Sequence, residues 1–410
     1  MDYKFKFHLI FKREQVLYYL DILICLCLTF SIVSSQYNSL LSFLCLKFVL
    51  ILSIIRMAHN YNIERQYKTI ILLVILFLFI QFISSLASDN SRQSVTVLKI
   101  RAIYYTAFFA SIIFIKNQIQ IKAVLVSLLL FTSLISIIEI YYFAEDLLSF
   151  HLLPSESRIG YFGQPITVAE IKMLVLLIIF PFFLIKEEFP VQKGLLIFLS
   201  VPIFISFMFT GSRGPFVALI IGIMIIGFLK NRKIVYGVLL FLVVYFLFVP
   251  ESVNGRILNI NNINNRSNTA RLYMLETGFK SAQDNLIFGV GSVNLKNIYE
   301  KYKKASIWGE GDQLHNNVMQ ILVTMGLFGL LIWLALMFYI FRKLIEIYKK
   351  TKTNNVLNAL TISSLAAMIA FQVSGLTDWN FADYPVVVVF WFSLSLAFIS
   401  QKLLNESSAI

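Results

Sequence analysis

The sequence predicts an all-α polytopic membrane protein with about twelve transmembrane helices, and three observations carry the prediction. Of 410 residues, 58% are apolar and 14% charged, and the mean hydropathy is +0.78, far above that of soluble globular domains. Apolar runs of roughly 17 to 22 residues, the length a helix needs to cross a bilayer, recur along the whole chain. Lysine and arginine sort to alternate connections between those runs instead of gathering in one basic segment. The net charge of +13 thereby has a membrane explanation, and nucleic acid is not an expected partner.

Lys4, Lys6, Lys12 and Arg13 precede the first run, 16–33. It has no small-residue cleavage site and further runs follow, so it reads as a span and not as a cleaved signal. Runs at 38–55, 69–87, 98–115, 123–142 and 166–185 come next, then 194–210, 215–229 and 234–249, and last 318–341, 356–376 and 386–401. With the N-terminus in the cytoplasm, every second connection lies inside: Arg56 to Lys68, Lys116 to Lys122, Lys186 to Lys193, Lys230 to Lys233, Arg342 to Lys352, and the C-terminal tail. These hold about twenty basic residues against about four in the short outer loops, which is the positive-inside pattern. Both termini are expected in the cytoplasm, and residues 1–410 read as a single integral membrane domain. Cys25, Cys27 and Cys45 fall within spans, lack metal-ligand spacing and read as small buried hydrophobes.

One connection is unlike the rest. Residues 250–317, between the ninth and tenth runs, form a polar, Asn-rich outer loop of roughly seventy residues, a length that is usually functional. Its early part, "NGRILNINNINNRSNTA", reads as irregular. From Ala270 the sequence "ARLYMLETGFKSAQDN" places Leu272, Leu275, Phe279 and Ala282 at helical spacing with Arg271, Glu276 and Lys280 between them. That predicts a helix lying on the membrane surface or packed as a lid over the spans. "IFGVGS" predicts a turn.

Four polar constellations fall on the outer face. In "TGSRGP", residues 210–215, Gly211 and Gly214 allow a tight turn or close approach of a ligand, and Pro215 suits the first position of the next helix. The helix N-terminus and the Arg213 guanidinium then describe an anion site, the alternative being an arginine that snorkels at a helix end. Arg271 opens the loop helix, where a lone arginine is otherwise a solvated one. His315, in "QLHNN", stands where the loop re-enters the membrane, placed either to take a proton near neutral pH or to cap the next helix beside Asn316 and Asn317. Asp378 and Asp383, in "TDWNFADYP", face the same side and either orient the imidazole or cap a helix.

The segments "FTGSRGPFVAL", "NTARLYMLETGFKSAQDNLIFGVG", "LHNNVMQILVTMGLFGLL" and "GLTDWNFAD", in this order between hydrophobic spans, resemble the O-antigen ligase and O-antigen polymerase superfamily of bacterial envelope glycosyltransferases. The resemblance covers about 200–385 in detail, and "SRIGYFGQPITVAE" at 157–170 draws in Arg158. It implies a glycan donor carried on undecaprenyl pyrophosphate in the outer leaflet of the bacterial inner membrane, with the active site facing the periplasm. On that reading Arg213, Arg271 and Arg158 hold the pyrophosphate, Ser212 and Gly214 support them, and His315 takes the proton of the attacking sugar hydroxyl. Inversion at the anomeric carbon is expected, without nucleotide-sugar, ATP or metal. A ligase transfers the finished glycan to lipid A-core; a polymerase transfers it to another lipid-linked repeat unit. One long loop between the ninth and tenth spans looks more like the ligase. A transporter or flippase is the alternative of another class, for which Lys47, Glu139, Glu170 and Lys172, inside predicted spans, are the residues to explain.

Overall fold

A computed structural model describes residues 2–58, 65–154, 156–250, 266–292, 295–302 and 313–408. All regular elements among them are helices, as lipid demands of a spanning chain whose backbone groups find no water to bond. They are α1 (Asp2–Ser34), α2 (Ser39–Met57), α3 (Arg65–Leu86), α4 (Ser91–Tyr104), α5 (Thr106–Phe114), α6 (Gln118–Ser149), α7 (Pro165–Ile179, continued by a 3-10 turn, Phe180–Leu184) and α8 (Lys193–Phe209). There follow α9 (Arg213–Lys230), α10 (Lys233–Phe248), α11 (Arg266–Asp284), α12 (Leu295–Tyr302), α13 (Asn317–Thr351), α14 (Asn355–Ser374) and α15 (Tyr384–Ser408). A helix stands at every predicted run, with α4 and α5 sharing one. Among the described residues, ten spans are long and apolar enough to cross a membrane. The two expected spans that fall short are α8 and α10, apolar helices of 17 and 16 residues. The early loop, 251–265, lies outside the described residues.

Several helices start on an asparagine, whose short side chain accepts from an N–H that the first turn leaves without a partner. Asn38 accepts from Leu41, Asn117 from Gln120 and Asn316 from Met319, each at 2.9 Å, and Asn354 from Leu357 at 3.1 Å. At the centre, α14 packs against α7, α9, α13 and α15. Every residue of α15 from Val386 to Gln401 is buried, and Phe390 stacks on Phe371 of α14 at 3.7 Å. On the periphery α1, α2, α3, α6, α8 and α10 leave leucine, isoleucine and phenylalanine exposed, the surface that acyl chains would cover.

The ionisable residues inside the spans have partners. Lys172 of α7 pairs with Glu139 of α6, and Ser206 of α8 bonds both, so one buried cluster ties three helices. Lys47 lies over the Phe43 ring at 4.8 Å. Glu170 accepts from Ser374 and from Asn380 at 3.0 Å. Cys25 is buried, whereas Cys27 and Cys45 are half-buried on the outer helices, less enclosed than expected.

The long connection is tied into the bundle at a break in α13. At Gly326 the backbone leaves the helix with φ 68° and ψ −171°, which opens the carbonyls of Val323 and Thr324. Into that gap comes the "IFGVGS" turn: Val290 N–H donates to Val323 at 3.0 Å, Gly291 N–H to Thr324 at 3.0 Å, and Leu327 N–H to Leu286 at 2.7 Å. A Cβ on Gly326 would overlap the Ile287 carbonyl. Gly326→Ala therefore combines an unfavourable φ with a backbone clash, expected to cost on the order of 2 kcal/mol or more. It should lower the melting temperature and speed proteolysis of the 286–292 turn in the same preparation.

That anchorage sets how α11 lies. Its buried face is Met274, Thr277, Gly278, Ser281 and Ala282, packed against α13, while Leu272 and Phe279 of the expected apolar stripe are exposed. The small residues decide it: a Cβ on Gly278 would come within 2.7 Å of Met319, so that face alone permits close packing. The helix begins at Arg266, ahead of the expected Ala270.

Candidate active site

The turn from α8 to α9 is held from outside by Arg158. Its Nε donates to the Thr210 carbonyl at 2.7 Å and a terminal nitrogen donates to Ser212 Oγ at 2.8 Å. Ser212 Oγ in turn donates to the Pro165 carbonyl at 3.1 Å, binding the turn to the start of α7. Gly211 turns the chain at φ 58°. The expectation that Pro215 opens α9 is corrected: the helix starts at Arg213, with Ser212 as N-cap residue. Proline fits here as well, because its missing N–H is among those the first turn leaves unbonded. Gly214 faces the last loop so closely that a Cβ would overlap Thr377 Oγ1. The glycine thus brings the Arg213 turn and the Asp378 loop together.

His315 lies just before α13 at φ 47°, a left-handed conformation that non-glycine residues rarely adopt. The cap of α13 is Asn316, which also donates to the Leu376 carbonyl at 2.9 Å. With capping done by its neighbour, His315 directs Nδ1 to Asp378 Oδ1 at 2.7 Å. The imidazole is 27% exposed and the carboxylate 7%, so the pair is the more open on the histidine side. Asp378, not Asp383, is therefore the carboxylate that contacts His315. Asp383 accepts from Thr167 of α7. Burial raises the Asp383 carboxyl to about 6, with the Thr167 hydrogen bond opposing and the charge of Asp378 adding to the rise.

A buried amide network fixes the Asp378 loop. Asn317 Nδ2 donates to Asn380 Oδ1 at 2.7 Å, and Asn317 N–H donates to the Gly375 carbonyl at 2.7 Å. Asn380 Nδ2 reaches Glu170, so the carboxylate that looked anomalous inside a span is part of the platform beneath the loop.

These elements converge on a cleft of about 370 Å³ lined by Arg158, Gln164, Pro165, Ile166, Gly211, Ser212, Arg213, Gly214, Arg271 and His315. Three arginines from separate parts of the chain thus share one cavity with the histidine. Arg271 is buried enough that its pKa is lowered from the ordinary value, against which the charge of Asp378 acts. Gln164 and the Asn317–Asn380–Glu170 platform were not foreseen as site residues, although all four lie in quoted segments and Glu170 already stood out inside a span.

Residues 195–334 match a family model described as O-antigen ligase, a stretch that contains Arg213, Arg271 and His315. Over 143 residues the chain is 26% identical to the teichuronic acid biosynthesis protein TuaE of Bacillus subtilis (strain 168). That alignment covers 34% of this chain and 28% of the relative's length. The family description and the relative's name both concern the biosynthesis of polysaccharides. Over residues 195–334, and within a multi-span helical architecture, the chain is thus similar to the O-antigen ligase family.

Proposed function

We propose that this protein transfers a glycan from a polyprenyl pyrophosphate, of the undecaprenyl type, to a sugar hydroxyl at the outer face of a bacterial inner membrane. The observation that carries the reading is the cleft shared by Arg158, Arg213, Arg271 and His315, with Asp378 behind the imidazole. A pyrophosphate becomes a good leaving group once its developing charge is neutralised, and guanidinium groups stay ionised and bind phosphate through paired donors. Arg213 and Arg271 bind the pyrophosphate. Arg158, already bonded to Thr210 and Ser212, holds the turn that presents Arg213. With Nδ1 engaged by Asp378, His315 Nε2 accepts the proton of the acceptor hydroxyl as its oxygen attacks the anomeric carbon. The bond from that carbon to the pyrophosphate oxygen breaks, and the pyrophosphate leaves with the electron pair. Attack opposite the leaving group inverts the anomeric centre.

The family description supports a ligase, with lipid A-core as acceptor. The relative's place in teichuronic acid biosynthesis supports a second reading, a polymerase whose acceptor is another lipid-linked repeat unit. The ion pair found for Lys172 and the supporting role of Glu170 weigh against a transporter. The test is transfer by the purified chain from a polyprenyl-pyrophosphate glycan to each acceptor in turn. Product with lipid A-core alone supports the ligase and product with repeat units alone the polymerase; no product with either overturns the reading.

A further inference from the structure

A second chamber adjoins the arginine cleft. It measures about 420 Å³, within the range of about 300–1,000 Å³ usual for small-molecule sites, and shares Gln164 and Ile166 as its dividing wall. Its lining is of a different kind. The arginine cleft has three guanidinium groups; the second chamber has Asp378, Asp383, Gln164, Gln313 and Thr167, and no lysine, arginine or histidine among its described lining residues. Phe162, with Tyr37 at 5.3 Å between ring centres, and Trp379 add aromatic surface. The two chambers meet at the catalytic pair: His315 lines the first and its partner Asp378 lines the second.

We propose that the second chamber is the acceptor subsite, and that the pyranose it takes is uncharged. The inference rests on the glycan-transfer reading. In an inverting displacement, nucleophile and leaving group occupy opposite faces of the anomeric carbon. The arginines mark the leaving-group side, so the acceptor ring is assigned to the adjoining chamber, from which its attacking hydroxyl reaches His315 Nε2 past Gln164 and Ile166. Carboxylates and amides suit sugar hydroxyls, since carboxylates accept from them and amides both donate and accept, while aromatic rings cover the apolar face of a pyranose. A uronic acid or phosphorylated sugar would set its negative charge beside Asp378 and Asp383, with no lysine, arginine or histidine among the chamber's described lining residues.

The test uses the full chain in nanodiscs at about pH 8, above the value of about 6 to which burial raises Asp383. Propyl glucoside and propyl glucuronide, which differ by the carboxylate, are the probes, with binding read by saturation-transfer NMR. The glucoside is expected to bind, and the glucuronide to bind at least about tenfold more weakly because like charges oppose it. Asp383→Asn should reduce that discrimination to about twofold or less. Gln313→Ala, which leaves both carboxylates in place, should weaken the glucoside by about tenfold as a hydrogen-bond partner is lost. Saturating undecaprenyl pyrophosphate should bind without displacing the glucoside. Glucuronide binding equal to that of the glucoside, glucoside displaced by the carrier, or no effect of Gln313→Ala would each overturn the acceptor assignment. Failure of the carrier itself to bind would instead remove the glycan-transfer reading, so the two failures are told apart.

Discussion

Arg213→Ala is expected to lower glycan transfer by on the order of a hundredfold to a thousandfold, the usual cost of removing a donor aimed at developing negative charge. Arg213 is the first residue of α9, so its guanidinium and the partial positive charge of the helix N-terminus act on the same place. Arg213→Lys restores the charge but offers one ammonium where the guanidinium presents two parallel donors, and should recover only part of the rate. Both variants should reach wild-type abundance, because Arg158, Ser212 and Pro165 hold the turn independently of residue 213. Turnover is read with a polyprenyl-pyrophosphate glycan and abundance by immunoblot of the membrane fraction. Normal turnover of the Ala variant at wild-type abundance would assign Arg213 to the helix end alone.

Membrane character was legible because a helix in lipid must be long and apolar, which leaves a mark at every span. The signal was weakest where length and apolarity part company. α8 and α10 are apolar but short, and α4 begins in the polar "SRQSVTV" stretch well before the run at 98–115. Arg213 and His315 stood out because charge or an imidazole near the end of an apolar run is unusual, Arg271 was marked by its place in the loop helix and Arg158 by the family resemblance alone, and the fold gathers all four in one cleft. Local spacing identifies such groups but does not say what they touch. Asp378 and Asp383 were indistinguishable in "TDWNFADYP"; the choice between them depends on Gly214 and on Asn317 meeting Asn380, contacts between distant segments. The face of α11 was misjudged for a related reason. Apolarity pointed to Leu272 and Phe279, whereas steric access to α13 selected the side bearing Gly278, Ser281 and Ala282.

Binding and chemistry separate most sharply at His315. A general base contributes on the order of a hundredfold to ten-thousandfold, so replacing it should remove that much turnover while leaving affinity for the donor. His315→Ala places alanine at φ 47°, and a fall in stability would blur the result. His315→Asn removes the imidazole with a residue that tolerates the left-handed region, and is the cleaner variant. Asp378→Asn should also reduce turnover, because the carboxylate that stabilises the protonated imidazole is lost while a hydrogen-bonding side chain remains. Arg271→Ala should behave differently, weakening donor binding as well as turnover, since it withdraws a cation from the pyrophosphate. The decisive measurement is donor affinity and single-turnover rate for all three sites in one nanodisc preparation. If the His315 variants lose donor binding as fully as Arg271→Ala, His315 belongs to the phosphate site, and the base must be sought at Asp378 or Asp383. If they bind donor normally and fail only in transfer, the proton of the acceptor goes to His315.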